Sequence, residues 1–550
     1  AETSSSADHA SSSLFENFDY NNHWYPVIWS RDLLMNEPTK VTVFDVDYVV
    51  AKISETEVVA LEDRCPHKAA ALSEGRITES GKFQCAYHGW SFDGRTGDCT
   101  EIPQILQVGN SSKIPSRSCA KAVPAQIHQE MVYLFVGGTA EDALLAPPPP
   151  SVPEYDELNF KMSQSIRDMP VDWPIVVSNI CDADHGMFAH GAKAFDMYAA
   201  SKEYPMRVVQ EFPDDGKGWI VRTKVDAADK LKEVDRQRRL EMGDPKVTKK
   251  KKKEEEKETP WATTVFQAPF NLQMKRLDKK TNTTTFVTSF YICPVGVGRC
   301  RFMAAGLSKK APPRWLTKLG LDNFLDQDTY LLATQQHHIL GSEARDLRKI
   351  MKERQEGKKK EANGSASSNA VPLERLTMPT RRKLFCLSSP TDAFGAKLEQ
   401  FWDATLLRSP NRIANLMKLD TAGAFLDTPS REVVLDRKTQ HLDICPDSQD
   451  VVRNCKKARK AGTIISAATL LAKVALSIIV KSDGGSSMMP IVKRLNAILK
   501  PSLVAWAIGF SSLISLLASK IHREYFFKYT EDYRRKDMTK IPKNIWLDAK

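Results

Sequence analysis

Two cysteine–histidine pairs, Cys65-x-His67 and Cys85-x-x-His88, constrain this chain more than any other feature of its sequence. Each pair is a short turn presenting one thiolate and one imidazole, and seventeen residues separate the two turns. Donors held this way need rigid loops, and the flanking sequence predicts the source of the rigidity. HWYPVIW from His23, KVTVFDVDYVVAKI, EVVALEDRC and MVYLFVGG from Met131 are short runs rich in β-branched and aromatic residues. Broken by polar residues, they predict short strands. Ten cysteines in 550 residues are too sparse for a disulfide framework. Their placement beside histidine favours metal ligation instead.

Two cysteines on one side and two histidines on the other form the donor set of a Rieske [2Fe–2S] cluster, where histidine replaces cysteine on one iron and raises the potential. A structural zinc is the alternative, because Cys2His2 sets also hold zinc. Zinc fingers, however, rarely space their pairs this way or embed them in β-rich sequence. The cluster segment therefore predicts an all-β domain over residues 23–146. Residues 1–22 are expected to be disordered. The first thirteen, polar and Ser-rich, read as the frayed start of a mature chain that has lost a targeting segment, or equally as an artificial end. Five prolines in the seven residues 147–153 remove ladder donors and favour extended backbone, which ends the domain.

Residues 155–425 have a mixed texture. WIVRTKV, TTVFQAPFNLQM, TTTFVTSFYICPV and CRFMAAGLS predict antiparallel strands, while WPIVVSNICDADHGMFAHGAKAF and LDNFLDQDTYLLATQQHHIL predict helices. Insertions at 229–258 and 352–371 are charge-rich or low in complexity and are expected to be disordered. The first predicted helix contains Asn179, Asp182, His185 and His190. Its two histidines are five apart, so on a regular helix they point about 140° apart, and a bend or π-type turn would be needed to bring them to one ion. Alone the motif is weak; its place after a metal-binding domain gives it weight. A 2-His-1-carboxylate triad leaves open positions on Fe(II). FLDQDTYLLATQQ offers Asp328 or Asp326 as the carboxylate, with Asp322 a turn further away. Asp182 also reads as a helix-start cap near Asn179, and Cys181 as a packing residue.

Charge and hydropathy limit the partners. The net charge of +11 is moderate, and part of it sits in the lysine tract 249–253. No basic stripe interleaved with aromatics is present, which argues against nucleic acid. An acidic protein or an anionic membrane surface fits the charge. The mean hydropathy of −0.38 confines any membrane part to a local segment. Residues 462–480 and 502–518 are apolar and near the lower length limit for a span; the first carries Lys473. A buried pair of amphipathic helices or an interfacial pair is the alternative. Arg453, Lys456, Lys457, Arg459 and Lys460 precede the first stretch, and Lys520, Arg523 and Lys528 follow the second. The stretch between them has fewer cations, so both ends of a hairpin fall on the more positive side. This predicts a pre-membrane linker at 426–461, then two transmembrane helices and a tail at 462–550.

The segment from C65-P-H to C85-A-Y-H-G-W-S-F-D-G-R-T-G, ending in I102-P-Q, resembles the Rieske domain of non-haem iron oxygenases. With H23-W-Y-P-V, S178-N-I-C-D-A-D-H, M378-P-T and the terminal apolar pair, the chain resembles the chloroplast pheophorbide a oxygenase family. That family includes relatives acting on chlorophyllide or protochlorophyllide and a translocon-associated member. The resemblance implies an α+β chain: an all-β Rieske domain, a helix-grip-like catalytic domain with antiparallel sheet and helices, and a C-terminal transmembrane hairpin. It implies that Cys65 and Cys85 hold one cluster iron and His67 and His88 the other. It implies mononuclear Fe(II) on His185, His190 and Asp328, with Asn179 supporting the pocket. Asp182 would bridge His88 of one protomer to His185 of the next, which requires a head-to-tail homotrimer. The implied partners are O2, a chlorophyll-derived tetrapyrrole, and ferredoxin with its reductase; no flavin or NAD fingerprint is present in the chain. The implied location is a chloroplast membrane, thylakoid or inner envelope, with the catalytic part facing the stroma. One departure stands out. The family often carries Cys-x-x-Cys before the hairpin, whereas here Ser448 follows Cys445 at that position. Cys455 lies ten residues on and is the remaining candidate for a bridge with Cys445.

Overall fold

The computed structural model describes residues 15, 17–106, 114–182, 185, 206–212, 220–225, 262–278, 281, 283–362, 376–388, 392–419, 429–482, 490, 494–495 and 500–525. They fall into two compact units, the first running to Val434 and the second covering Leu435–Glu531.

The β-branched runs become strands, as their alternation dictates. β1 (Trp24–Trp29) pairs with β11 (Met131–Phe135), which pairs with β10 (Ala125–His128). A second sheet orders β2 (Thr39–Val43), β3 (Val46–Lys52), β4 (Val58–Glu62) and β9 (Ala122–Val123). A third, of very short strands, orders β5 (Arg76–Ile77), β6 (Phe83–Gln84), β7 (Ser91–Phe92) and β8 (Cys99–Glu101). Between these sheets Val49, Val59, Leu61, Leu72, Phe83 and Phe92 form one core with Cys65 and Cys85.

The next region is a seven-stranded antiparallel sheet in the order β12-β18-β17-β16-β15-β14-β13. Its strands are β12 (Lys161–Met169), β13 (Met206–Phe212), β14 (Ile220–Val225), β15 (Ala262–Gln267), β16 (Asn271–Leu277), β17 (Thr284–Gly296) and β18 (Arg299–Ser308). Among the described residues the helices that bear on the site are α1 (Trp173–Cys181), α2 (Arg314–Ala362), α3 (Thr380–Leu384), α4 (Ala393–Thr405) and α5 (Arg412–Lys418).

The cluster domain is fastened to this sheet. The β2–β3 turn residues Phe44 and Asp45 both have positive φ, the geometry of a tight hairpin. Their amides donate to the carbonyls of Pro294 (2.7 Å) and Val295 (2.8 Å). Asp32 takes both terminal nitrogens of Arg314, at 2.5 and 2.6 Å, in a buried pair. The proline stretch is no loose hinge: Val152 is fully buried, and Glu154 takes Lys275 Nζ on both oxygens at 2.9 Å.

Four expectations change. Phe15, Phe18 and Tyr20 are buried, and the two phenylalanines pack edge-on against Phe401, so the expectation of disorder over residues 1–22 does not hold for these three. Three aromatic rings supply enough apolar area to order a polar lead-in. The insertion at 352–371 is helical as far as Ala362, because α2 continues through KERQEGKKKEA, whose Lys, Glu and Arg are good helix formers. Conversely, the helix predicted from WPIVVSNIC ends at Cys181, with Asp182 extended. The segment 426–461 is not a plain linker, since the first apolar helix already begins at Pro446. The insertion 229–258 lies outside the described residues.

In the second unit, α6 (Pro446–Ser482) packs on α7 (Pro501–Tyr525). A Cβ at Gly462 would sit 2.6 Å from the carbonyl oxygen of Ser511, so glycine permits the close approach. Ser466 Oγ reaches Ser511 Oγ at 2.6 Å across the seam. Leu471, Trp506, Phe510 and Leu516 point outward and are more than half exposed. Both helices are long and apolar enough to span a bilayer, and little of either apolar window is buried.

Candidate metal centres

The two cluster loops are near-copies of one another. In the first, Cys65 N–H donates to the Ala70 carbonyl (2.8 Å) and the Cys65 carbonyl accepts from Ala69 N–H (2.8 Å). In the second, Cys85 N–H donates to Trp90 (2.9 Å) and the Cys85 carbonyl accepts from Gly89 N–H (3.0 Å). The residue four after each cysteine has positive φ, 59° at Ala69 and 73° at Gly89. Each loop thus reverses sharply and keeps its histidine beside its cysteine.

The histidine rings meet with centroids 4.5 Å apart. His67 stacks on Trp90 at 4.5 Å with 3° between planes, and Tyr87 lies 3.9 Å from His88. Gln104 Nε2 donates to the His88 carbonyl (2.9 Å). The Nδ1 atoms of His67 and His88 are buried and have no hydrogen-bond partner, a costly arrangement unless those nitrogens serve as ligands. Burial, followed by the Cys85 thiol, pushes the Cys65 thiol up to about 11, while the amides of His67 and Lys68 pull it back. Such a thiol ionises near neutrality only against a cation. The donor set, the orphaned nitrogens and the paired thiols fit a [2Fe–2S] cluster. Among the described residues no three His, Cys, Asp or Glu side chains gather around one point.

At the second site the structure brings together two of the three expected ligands. His185 follows the end of α1, and its amide donates to Asp182 Oδ1 (3.3 Å). Its Nδ1 contacts the Asp182 carbonyl, which orients the ring. Its Nε2 lies 3.8 Å from Oδ2 of Asp328 on α2. Burial lowers the His185 pKa, but the adjacent Asp328 carboxylate outweighs it and the net shift is upward. His190 lies outside the described residues. Asp326 is bound to Arg167 at 2.5 Å in a fully buried pair, and Asp322 is paired with Lys318. Of the three candidate carboxylates, only Asp328 has a described contact with His185.

The remaining expectations divide. Asp182 closes α1 in extended conformation, is solvent-exposed, and its Oδ1 accepts from the amide of the helical His185 three residues on, which is the bond of a helix-start cap. Asn179 lies in α1, and its carbonyl accepts from Asp182 N–H (3.1 Å). Cys181 is buried, as a packing residue should be. Cys445 and Cys455 are both buried and unbridged, and Ser448 Oγ lies 2.7 Å from His441 Nε2. Sequence reasoning gave Trp90 no role, although it stands in the quoted motif; an aromatic just after the second pair was the available signal.

Comparison with known proteins gives two family matches: the Rieske [2Fe-2S] domain over residues 23–113 and pheophorbide a oxygenase over residues 266–345. The chain is 38% identical over 185 residues to the chloroplastic pheophorbide a oxygenase of Oryza sativa subsp. japonica, covering 33% of this chain and 35% of that protein. It is 26% identical over 363 residues to the chloroplastic protochlorophyllide-dependent translocon component 52 of Arabidopsis thaliana, covering 59% and 61%. Among solved structures it is similar to the caffeine-bound QL mutant of NdmA from Pseudomonas putida CBB5. That match has 18% identity, covers 58% of this chain and 82% of that one, and has a TM-score of 0.43. The chain therefore matches about a third of the length of the rice relative and less than two thirds of the other.

Proposed function

From a chain that carries a Rieske [2Fe-2S] domain followed by a pheophorbide a oxygenase domain, we propose a ferredoxin-dependent non-haem iron oxygenase acting on a chlorophyll-derived tetrapyrrole at a chloroplast membrane. Pheophorbide a, with opening of the macrocycle, is the substrate and reaction best supported by the matched family and by the rice relative. The observation that carries the reading is the approach of His185 to Asp328, 143 positions apart in sequence, directly after a domain built to hold a cluster. A protein that only relayed electrons would have no use for that pair.

In this reading Cys65 and Cys85 hold one cluster iron, His67 and His88 the other, and His185, His190 and Asp328 the mononuclear iron. When bound, the cluster supplies single electrons and the ferrous ion activates O2. The chain's own residues do the rest. Trp90 fixes the His67 ring by stacking. The Asp182 carbonyl sets the His185 ring so that Nε2 faces Asp328. Asp182, exposed on its own protomer, would bridge to His88 of a neighbour in a head-to-tail homotrimer. The apolar outer faces of α6 and α7 keep the enzyme beside a lipophilic substrate. The positive flanks of the hairpin support a stroma-facing catalytic part.

A second reading is an electron-transfer or redox-sensing subunit of a chloroplast import complex. It draws on the longer match to the translocon component. Metal stoichiometry separates the two. Three irons per chain are expected for the oxygenase, and two would leave only the relay. His185→Ala should abolish oxygenation of pheophorbide a with ferredoxin and reductase while leaving the Rieske spectrum intact. Product formation by that variant would end the iron-site assignment. A tetrapyrrole methyl hydroxylase would be recognised by product mass alone.

A further inference from the structure

The mononuclear site depends on how α1 meets α2, and the contacts that set this relationship lie away from the metal. Ser178 Oγ, one turn before Asp182, donates to Glu399 Oε1 on α4 (2.9 Å), and Trp402 Nε1 donates to Ser178 Oγ (3.2 Å). The other Glu399 oxygen takes Arg381 Nε from α3. Arg381 Nη1 lies 3.5 Å from Oε1 of Glu343 on α2. The opposite end of α1 reaches the same glutamate. Asp172, which precedes α1, takes Arg412 Nη2 of α5 at 2.8 Å, and that nitrogen also donates to Glu343 Oε2 (2.6 Å). Asp172 N–H donates to Gln336 Oε1 of α2 (2.5 Å). Asp172, Glu343, Glu399, Arg381 and Arg412 are each no more than 3% exposed.

Three carboxylates and two guanidiniums buried together gain little stability over a well-packed apolar core. What they add is direction. A charged hydrogen bond fails if a helix rotates or slides, whereas apolar contacts slip. The cluster holds α1 at both ends onto one residue of α2, fifteen positions beyond Asp328.

We infer that the Ser178–Glu399–Arg381–Glu343 chain, closed by Arg412 and Asp172, is a positioning device that holds α1 in register with α2 so that His185 faces Asp328. Ser178 and Glu399 are positioning residues of the iron site and touch neither metal nor substrate. The inference rests on the proposed mononuclear iron.

The test measures ferrous-iron retention against a chelator in the full-length protein in detergent, together with the Rieske visible spectrum and melting temperature. Ser178→Ala removes one hydroxyl and little volume. It should weaken iron retention about ten-fold, the usual scale for a group that orients a ligand, with the Rieske spectrum unchanged. Ser178→Thr, which keeps a hydroxyl, should restore retention, and Glu399→Gln should weaken it as Ser178→Ala does. Asp32→Asn, which breaks the buried pair with Arg314 elsewhere in the first unit, serves as the control. It should lower the melting temperature without weakening retention. Wild-type retention in both Ser178→Ala and Glu399→Gln overturns the inference. So does a loss in Asp32→Asn matching theirs, which would mean that iron merely tracks stability. Only two irons in the wild type would end the parent reading and this one with it; three irons with unaffected variants would end this one alone.

Discussion

The proposed cluster loops and the proposed iron site face the same problem, holding candidate metal ligands still, and meet it by opposite means. The loops do it locally. Each takes its shape from two backbone hydrogen bonds and one positive-φ residue within six positions, and its cysteine is planted in a β core. The iron site does it at long range. His185 is steered by the carbonyl of Asp182, Asp328 comes from a helix far along the chain, and buried arginines and carboxylates fix the angle between the two elements. A local solution is tolerant of change elsewhere; a long-range one fails when any packed partner shifts.

The sharpest way to break this contrast is Cys85→Ser. It should remove both cluster irons and the acid-labile sulfide together, read by metal analysis and visible absorption. Survival of the cluster would mean that the paired loops do not hold it. Asp328→Asn comes next. It should reduce mononuclear iron by more than the roughly 10–100-fold seen for residues that only orient ligands, leaving the Rieske absorption in place. Iron retained at the wild-type level would remove Asp328 from the ligand set. Asp326→Asn should behave differently. It takes the carboxylate from a buried arginine and should cost about 3–5 kcal/mol of stability, measured by denaturant unfolding. Should it instead lose iron without losing stability, Asp326 and not Asp328 is the ligand.

The smallest effect is a pH dependence. Burial pushes the Asp403 carboxyl up to about 7, against the pull of Arg382 and Arg381 and with the push of Glu399. A folded pKa above the unfolded one means that this group's contribution is complete below the unfolded carboxylate range and is lost as pH rises through about 7. Melting temperature should therefore decline between about pH 5 and about pH 8, and Asp403→Asn should flatten that decline. An unchanged slope would remove Asp403 from the account.

Much of this contrast was legible before folding was considered. The spacing of Cys65, His67, Cys85 and His88 within β-rich sequence pointed to a two-iron cluster, because the backbone hydrogen bonds that turn each loop lie within six residues of its cysteine. The strand runs were equally plain, since side-chain alternation is a local property. Legibility failed where distant contacts decide. WPIVVSNICDADHGMF reads as one helix, yet α1 stops at Cys181. The lysine-rich end of α2 reads as loop, yet helix propensity carries it to Ala362. Phe15, Phe18 and Tyr20 fall in the stretch that reads as disordered, yet their three aromatic rings find buried places.

By itself the sequence determined the candidate cluster residues, the strand-rich first domain and two apolar helices, because each follows from nearest-neighbour chemistry and periodicity. Only the tertiary structure decided between Asp326 and Asp328 as the neighbour of His185. Two aspartates two positions apart on a helix face different ways, and which one meets Arg167 and which meets His185 depends on how α2 is rotated against the sheet and α1.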